Sequence, residues 1–217
     1  MKRALALWFA LAVAAGACTG PIVEGEVHDV DPKQLAKIAV VPFAVSPEFK
    51  GTGEPGAATG TQGPEAAAIV TRIASEAFAA AGFDVIPASD VAQVFEAAGQ
   101  PVPRDDRIAL ATAAAREFGA TAVLSGTVHR YRERLGGELG STRPASVGVE
   151  LTLDIAPGSR SLWTARFDHT QQALSENALV ASRYPGKGSR WLTAAELTRW
   201  GLDNAAKEVT DKLAEKR

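Results

Sequence analysis

Along residues 147–155 the apolar positions fall on every second residue. Val147, Val149, Leu151, Leu153 and Ile155 alternate with Gly148, Glu150, Thr152 and Asp154, the period of a strand with one buried and one polar face. Pro157-Gly158-Ser159 is a turn signal. Leu162 to His169 follows with Trp163, Ala165 and Phe167 on one face, so the two runs predict a hairpin. Lys37-Ile-Ala-Val-Val-Pro-Phe43 reads as a buried strand that Pro42 ends or places at an edge. Phe83 to Ile86 and Ala122 to Val128 predict further strands, the latter running on into His129-Arg-Tyr-Arg-Glu-Arg134.

Four helices alternate with these strands. Pro64 suits the first turn of one, whose stripe is Ile69, Ile73, Ala77 and Ala81, with Gly82 as its cap. Ser89 is read as the cap of a second, carrying Val91, Val94 and Phe95. Asp105 or Asp106 caps a third that ends at Gly119. Thr193 and Glu196 form a capping box for the last, with Leu192 and Leu197 as its hydrophobic staple. Two loops are expected: a long one over Ala44 to Gly63, and a glycine-rich turn over Gly136 to Pro144. The order β-α-β-α-α-β-β-β-α predicts a single α/β domain over 37–217, with a mixed sheet of about five strands packed with about four helices in two or three layers.

The first residues form a different pattern. Lys2 and Arg3 precede an apolar run from Ala4 to Ala15, then Gly16, Ala17 and Cys18. That is the layout of a cleavable secretory signal over 1–17, and its dozen apolar residues fall short of the roughly 20 that cross a bilayer. Cys18 is the single cysteine. Ala15-Gly16-Ala17-Cys18 resembles the bacterial lipobox, with Ala15 where Leu is usual. The resemblance implies diacylglycerol on the Cys18 sulfur, cleavage before it and a third acyl chain on the new N-terminus. Thr19 in place of Asp favours the outer membrane under the enteric sorting rule. Residues 18–36, with Gly20, Pro21, Gly25 and Pro32, read as the lipidated cysteine and a flexible tether.

Charge narrows the partners. The chain holds 23 Lys and Arg against 25 Asp and Glu, and removing Lys2 and Arg3 with the signal leaves 21 against 25. A mildly acidic chain lacks the basic footprint of a nucleic-acid binder. With one cysteine there is no thiolate zinc site. His28 sits beside Asp29 and Asp31 in the tether. His129 and His169 fall at strand ends, read as surface or half-buried histidines. Gly51 to Gly63 and Gly186-Lys-Gly-Ser189 lack the Gly-Lys-Ser/Thr of a phosphate loop. No catalytic, metal or cofactor residues are assigned. An envelope enzyme is the weakest reading: Glu150, Asp154 and His129 are the only cluster that could carry chemistry, and their proximity depends on the strand register.

The residues singled out for contact are Arg130, Arg132 and Arg134, three cations on one strand extension, together with Tyr184 and Trp191. The arginines serve either charge pairing within the sheet, with Arg166, Glu150 and Asp154 as cross-strand neighbours, or a patch for an acidic partner or lipid headgroups. Trp191, Trp200 and Tyr184 are either core or interface anchors.

Three segments carry a wider resemblance: Ile38-Ala-Val-Val-Pro-Phe43, Ala80-Ala-Gly-Phe-Asp-Val-Ile86 and Phe118-Gly-Ala-Thr-Ala-Val-Leu-Ser-Gly-Thr-Val128. Over roughly residues 37–169 the chain resembles the envelope lipoprotein group around the curli secretion channel CsgG, the penicillin-binding-protein activator LpoB and the N-terminal domain of TolB. The resemblance implies action by contact, without a shared active site. The loops at 44–63 and 134–146 lack the long alternating hairpins of the channel-forming member. The expectation is therefore a non-enzymatic, lipid-anchored protein of the envelope, facing the periplasm. It would contact an envelope protein or itself as scaffold, activator or secretion accessory. The alternative is a small-ligand binding or sensing lipoprotein, with a concave, partly apolar pocket under the 44–63 loop.

Overall fold

The computed structural model describes residues 23–28, 31–50, 61–103, 106–158, 160–173, 175 and 182–215. Cys18 and the 1–17 segment read as a signal lie outside them. The strands are β1 (Glu24–Val27), β2 (Lys37–Val40), β3 (Ala44–Lys50), β4 (Asp84–Ile86), β5 (Ala122–Arg132), β6 (Leu135–Gly136), β7 (Ser141–Arg143), β8 (Ser146–Ile155) and β9 (Ser161–Thr170). The α-helices are α1 (Gly63–Ala80), α2 (Ala88–Ala97), α3 (Arg107–Phe118) and α4 (Ala194–Ala214), with short 3₁₀ turns at Pro32–Leu35 and Pro185–Gly188.

One mixed sheet of seven strands organises the molecule, in the order β1-β9-β8-β5-β2-β4, with β3 also paired to β5. β2 runs parallel to β4 and β5, whereas β5, β8, β9 and β1 are antiparallel neighbours. The 147–155 alternation is read correctly. Val147, Val149, Leu151 and Leu153 are buried on one face, while Glu150 is exposed on the other. α1 and α4 cover that apolar face, burying Val70, Ile73, Phe78, Leu197 and Leu202 against the sheet. α2 and α3 cover the opposite face only beside β2 and β5, around Ala39, Val41 and Val123. The domain therefore has three layers at one side of the sheet and two at the other.

The helix ends follow from single residues. Gly119 caps α3 at φ 65°, in the left-handed region glycine enters without cost. Asp106 accepts from the Ala109 N–H at its start. Thr193 and Glu196 close the expected capping box on α4, and Leu192 and Leu197 are both fully buried. α4 meets the sheet closely at Gly201, where a Cβ would stand 2.6 Å from ring carbons of Phe167.

Four expectations change. Residues 24–27, read as tether, form the edge strand β1, held to β9 by backbone pairing of Glu24 with Arg166 and Val27 with Trp163. Its Glu-Gly-Glu-Val run alternates charged with small or apolar residues, but over only four positions, and its glutamates suit an edge. Residues 44–50, read as loop, form β3, whose ladder shifts register between Val45 and Lys50, around Pro47. The glycine-rich turn contains the small hairpin β6–β7, an arm beyond the end of β5. Ser89 does not cap α2: the helix begins at Ala88 after an extended Pro87, and the Ser89 hydroxyl instead meets Asp90 at 3.0 Å.

Candidate functional site

An apolar concavity lies where β2 and β4 end. β2 stops at Val40, and through Pro42 and Phe43 the chain runs on as β3, still parallel to β5 and with one extra residue in the ladder. β4 stops at Ile86 on the other side and gives way to α2 through Pro87. The chain diverges around β2, which is where open α/β sheets leave a crevice. The resulting groove has a volume of ≈ 750 Å³. Its floor is Phe43 and Val45 with small α1 residues, Ala67 and Ala68, and Ala88 and Ala92 of α2 close its far wall. Phe43 is 2% exposed, and its N–H is held 3.0 Å from the Thr71 hydroxyl. That bond fixes the turn against α1.

The rim is charged. Arg72 meets Glu76 at 2.7 Å, one helical turn on, and Arg199 of α4 bonds the same carboxylate. Arg199 and then Arg72 hold Glu76 below the usual glutamate range. The arrangement is an apolar trough with a neutralised polar border.

A second group occupies the open polar face of the sheet. β8 and β9 set Glu150 opposite Arg166, and β5 brings His129 Nε2 to 3.2 Å from Glu150. Arg166 reaches Asp168 at 3.0 Å, and Arg130 bonds the other Asp168 oxygen. Burial raises the Asp168 carboxyl, but Arg130 and Arg166 together bring it below the usual aspartate range. Asp154 does not join this group. It is buried, and pairs instead with Arg107 of α3 at 3.1 Å. Glu150 and His129 thus come together as considered, while Asp154 faces a helix the register argument left out.

The contact residues separate. Arg130 is engaged with Asp168 and with Ser146 at 2.7 Å. Arg134 donates to the Trp191 carbonyl, which ties the arm to the segment before α4. Tyr184 is 2% exposed and packs 4.7 Å from Trp200 in a cluster with Phe167 and His169, so it belongs to the core. Trp191 is half-buried, its N–H bonded to the Glu138 carbonyl at 2.8 Å. Arg132 lies near Arg130 and Arg143, and burial and those two charges push its guanidinium below the ordinary value. Cys18 lies outside the described residues.

Sequence reasoning passed over the groove walls and the arm's leucines. Leu139 is 91% exposed and Leu135 45%. Two leucines in a run of glycines and charges, with no periodicity to bury them, were the available signal.

Among the described residues no group of three or more His, Cys, Asp or Glu is placed to hold a metal ion, and no helix is long and apolar enough to cross a membrane.

No protein-family model and no curated protein matches the chain. Solved structures similar to it include the PelC dodecamer from Paraburkholderia phytofirmans, 21% identical over 84% of this chain and 96% of that one, TM-score 0.45. The lipoprotein GNA1162 from Neisseria meningitidis is 18% identical over 83% and 99%, TM-score 0.46. The LpoB C-terminal domain from Escherichia coli is 16% identical over 63% and 84%, TM-score 0.37.

Proposed function

We propose that this chain is a lipoprotein of the cell envelope, held by lipid on Cys18 at the periplasmic side of the outer membrane, that works by binding a partner protein and carries out no reaction. The groove at the ends of β2 and β4 carries this reading. An apolar floor of small side chains with a charged rim is the anatomy of a protein-contact site, and a trough of this kind takes the apolar face of a partner helix or loop. Arg72, Glu76 and Arg199 at its edge would set the partner's orientation.

The groove's volume also falls within the roughly 300–1,000 Å³ of small-ligand sites, so a small apolar ligand is the second reading. A photoreactive residue at Ala68, which lines the groove from α1 and is exposed, separates the two. In intact cells the partner reading expects one discrete protein adduct at Ala68, absent when the photoreactive residue stands at Ile108 and lost when Ala92→Phe fills the groove. A small molecule retained in native mass spectra and expelled by Ala92→Phe, with no protein adduct, moves the assignment to the second reading.

A further inference from the structure

The β6–β7 arm and the start of β1 point to the same end of the sheet. Arg132, Ser146 and Thr170 lie in register at one end of β5, β8 and β9. Beyond that end stands the β6–β7 arm with Leu135 and Leu139. β1 is antiparallel to β9, and Glu24 sits opposite Arg166. From Val27 back to Glu24, β1 therefore points toward that same end, which lies four β9 residues beyond Arg166, about 13 Å. Cys18 precedes Glu24 by six residues, a reach of at most roughly 20 Å. The lipid-bearing cysteine can thus stand level with the arm. Of the segment read as tether over 18–36, residues 24–27 belong to the sheet as β1 and 32–35 form a 3₁₀ turn.

The chemistry of that end fits a phospholipid surface. Leu139 and Leu135 are two of the three large hydrophobic side chains exposed among the described residues; the third, Ile108, lies at the far end of the sheet. Behind them Arg130 is answered by Asp168, and Glu138 by Arg190 at 3.6 Å. Arg132 and Arg143, both half-buried, form no ion pair among the described residues, and the buried Nε of each has no hydrogen-bond partner there. Guanidinium groups in excess beside exposed leucines match phosphates above acyl chains.

We propose that this end of the domain rests on the phospholipid surface that carries its lipid, with Leu135 and Leu139 entering the headgroup region and Arg132 and Arg143 meeting lipid phosphates. The proposal rests on acylation of Cys18, which supplies the residence on the membrane. The arm alone is too small for that, and sets the orientation.

The single cysteine makes the test direct. In the acylated protein its thiol is blocked, so a fluorophore reports only an introduced cysteine. Gly140→Cys places the probe next to Leu139, where a Cβ meets nothing within 4 Å. Ile108→Cys is the control, on the α3 turn next to Arg107, whose partner Asp154 pairs with Val123, nine β5 residues from Arg132 and so about 30 Å away. The proteins are reconstituted in vesicles of phosphatidylethanolamine and phosphatidylglycerol containing nitroxide-labelled lipid. Quenching and a blue shift are expected at position 140 and not at 108. Loss of both is expected with Leu135→Ser and Leu139→Ser together, and reduced quenching with Arg132→Gln and Arg143→Gln. A protein that floats with the vesicles but shows no quenching at 140 overturns the docking while leaving the lipoprotein reading intact. Labelling of the unsubstituted protein at Cys18, with no flotation, removes the lipoprotein reading and the docking with it.

Discussion

The ring of Phe43 lies on the bare backbone of Gly126. A Cβ there would stand 2.6 Å from one ring carbon of Phe43 and 2.9 Å from the Glu150 carbonyl oxygen. Because the second obstacle is backbone, the strand cannot yield, and the ring must. Gly126→Ala is expected to cost about 1–3 kcal/mol, the usual range for an overpacked site, and to push Phe43 into the groove. Urea unfolding should show a lower midpoint with an unchanged slope, and the photo-adduct at Ala68 should weaken in parallel. Unchanged stability would mean that Phe43 has room the structure does not show.

How far the chain was legible follows from such details. The β8–β9 hairpin, the capping box of α4 and the Gly119 cap are local: each depends on neighbours within a few residues, and each was read from them. β1 and β3 are not local. Glu24 and Ala44 become strand residues because β9 and β5 offer them a ladder; Val45, Pro47 and Phe49 do alternate with Ser46, Glu48 and Lys50, but Pro47 and the glycines that follow favour a loop reading. The groove is less legible still. Phe43, Ala68 and Ala92 are unremarkable apart, and they form a site only because β2, α1 and α2 meet there. The place of the pocket, beside the start of the 44–63 segment, was foreseen from the general habit of α/β sheets. Asp154 shows the limit of register arguments: its alternation places it with Glu150, and a helix from elsewhere in the chain takes it.

Two arginines that look alike in the sequence should behave differently. Arg107 is the partner of Asp154, whose side chain is 2% exposed, while Arg166 is 58% exposed within an ion-paired group on the open face. Arg107→Ala leaves a buried carboxylate without its partner and is expected to cost about 1–3 kcal/mol. Arg166→Ala is expected to cost about 1 kcal/mol or less, since exposed pairs contribute little. Chemical denaturation of the two variants side by side checks this; equal losses would contradict the burial difference.

The start of α4 should fail in acid. The Arg190 side chain and the Thr193 backbone N–H hold Glu196 down to about 2 from 4.5, against burial that raises it. Its folded value is lower than its unfolded one, so its contribution is present above pH 4.5 and lost as pH falls through about 2. The side chain is 39% exposed, and screening reduces what it adds. Thr193→Ala should cost about 1 kcal/mol at neutral pH, as for other lost caps. Glu196→Gln should flatten the acid limb of the stability curve, measured by thermal unfolding at a series of pH values. An acid limb identical to that of the unsubstituted chain would show that Glu196 does not report on folding.

Asp154 should act in the opposite sense. Burial pushes its carboxyl above the usual value of 3.8, and the Arg107 charge and hydrogen bond pull it back only in part. The folded state then binds the proton more tightly than the unfolded one, so the stability linked to this group is present at low pH. It is lost as pH rises from 3.8 through the raised folded value. Asp154→Asn keeps the shape and removes the ionisation. Its stability relative to the unsubstituted chain should therefore improve as pH rises through that window. The same comparison in an Arg107→Ala background should steepen the trend, because the remaining cation that favours the charged form is gone. A trend of the reverse sign would mean that the pair with Arg107 outweighs the loss of water around Asp154, and α3 would then be clamped by an ion pair rather than carrying a buried acid at a cost.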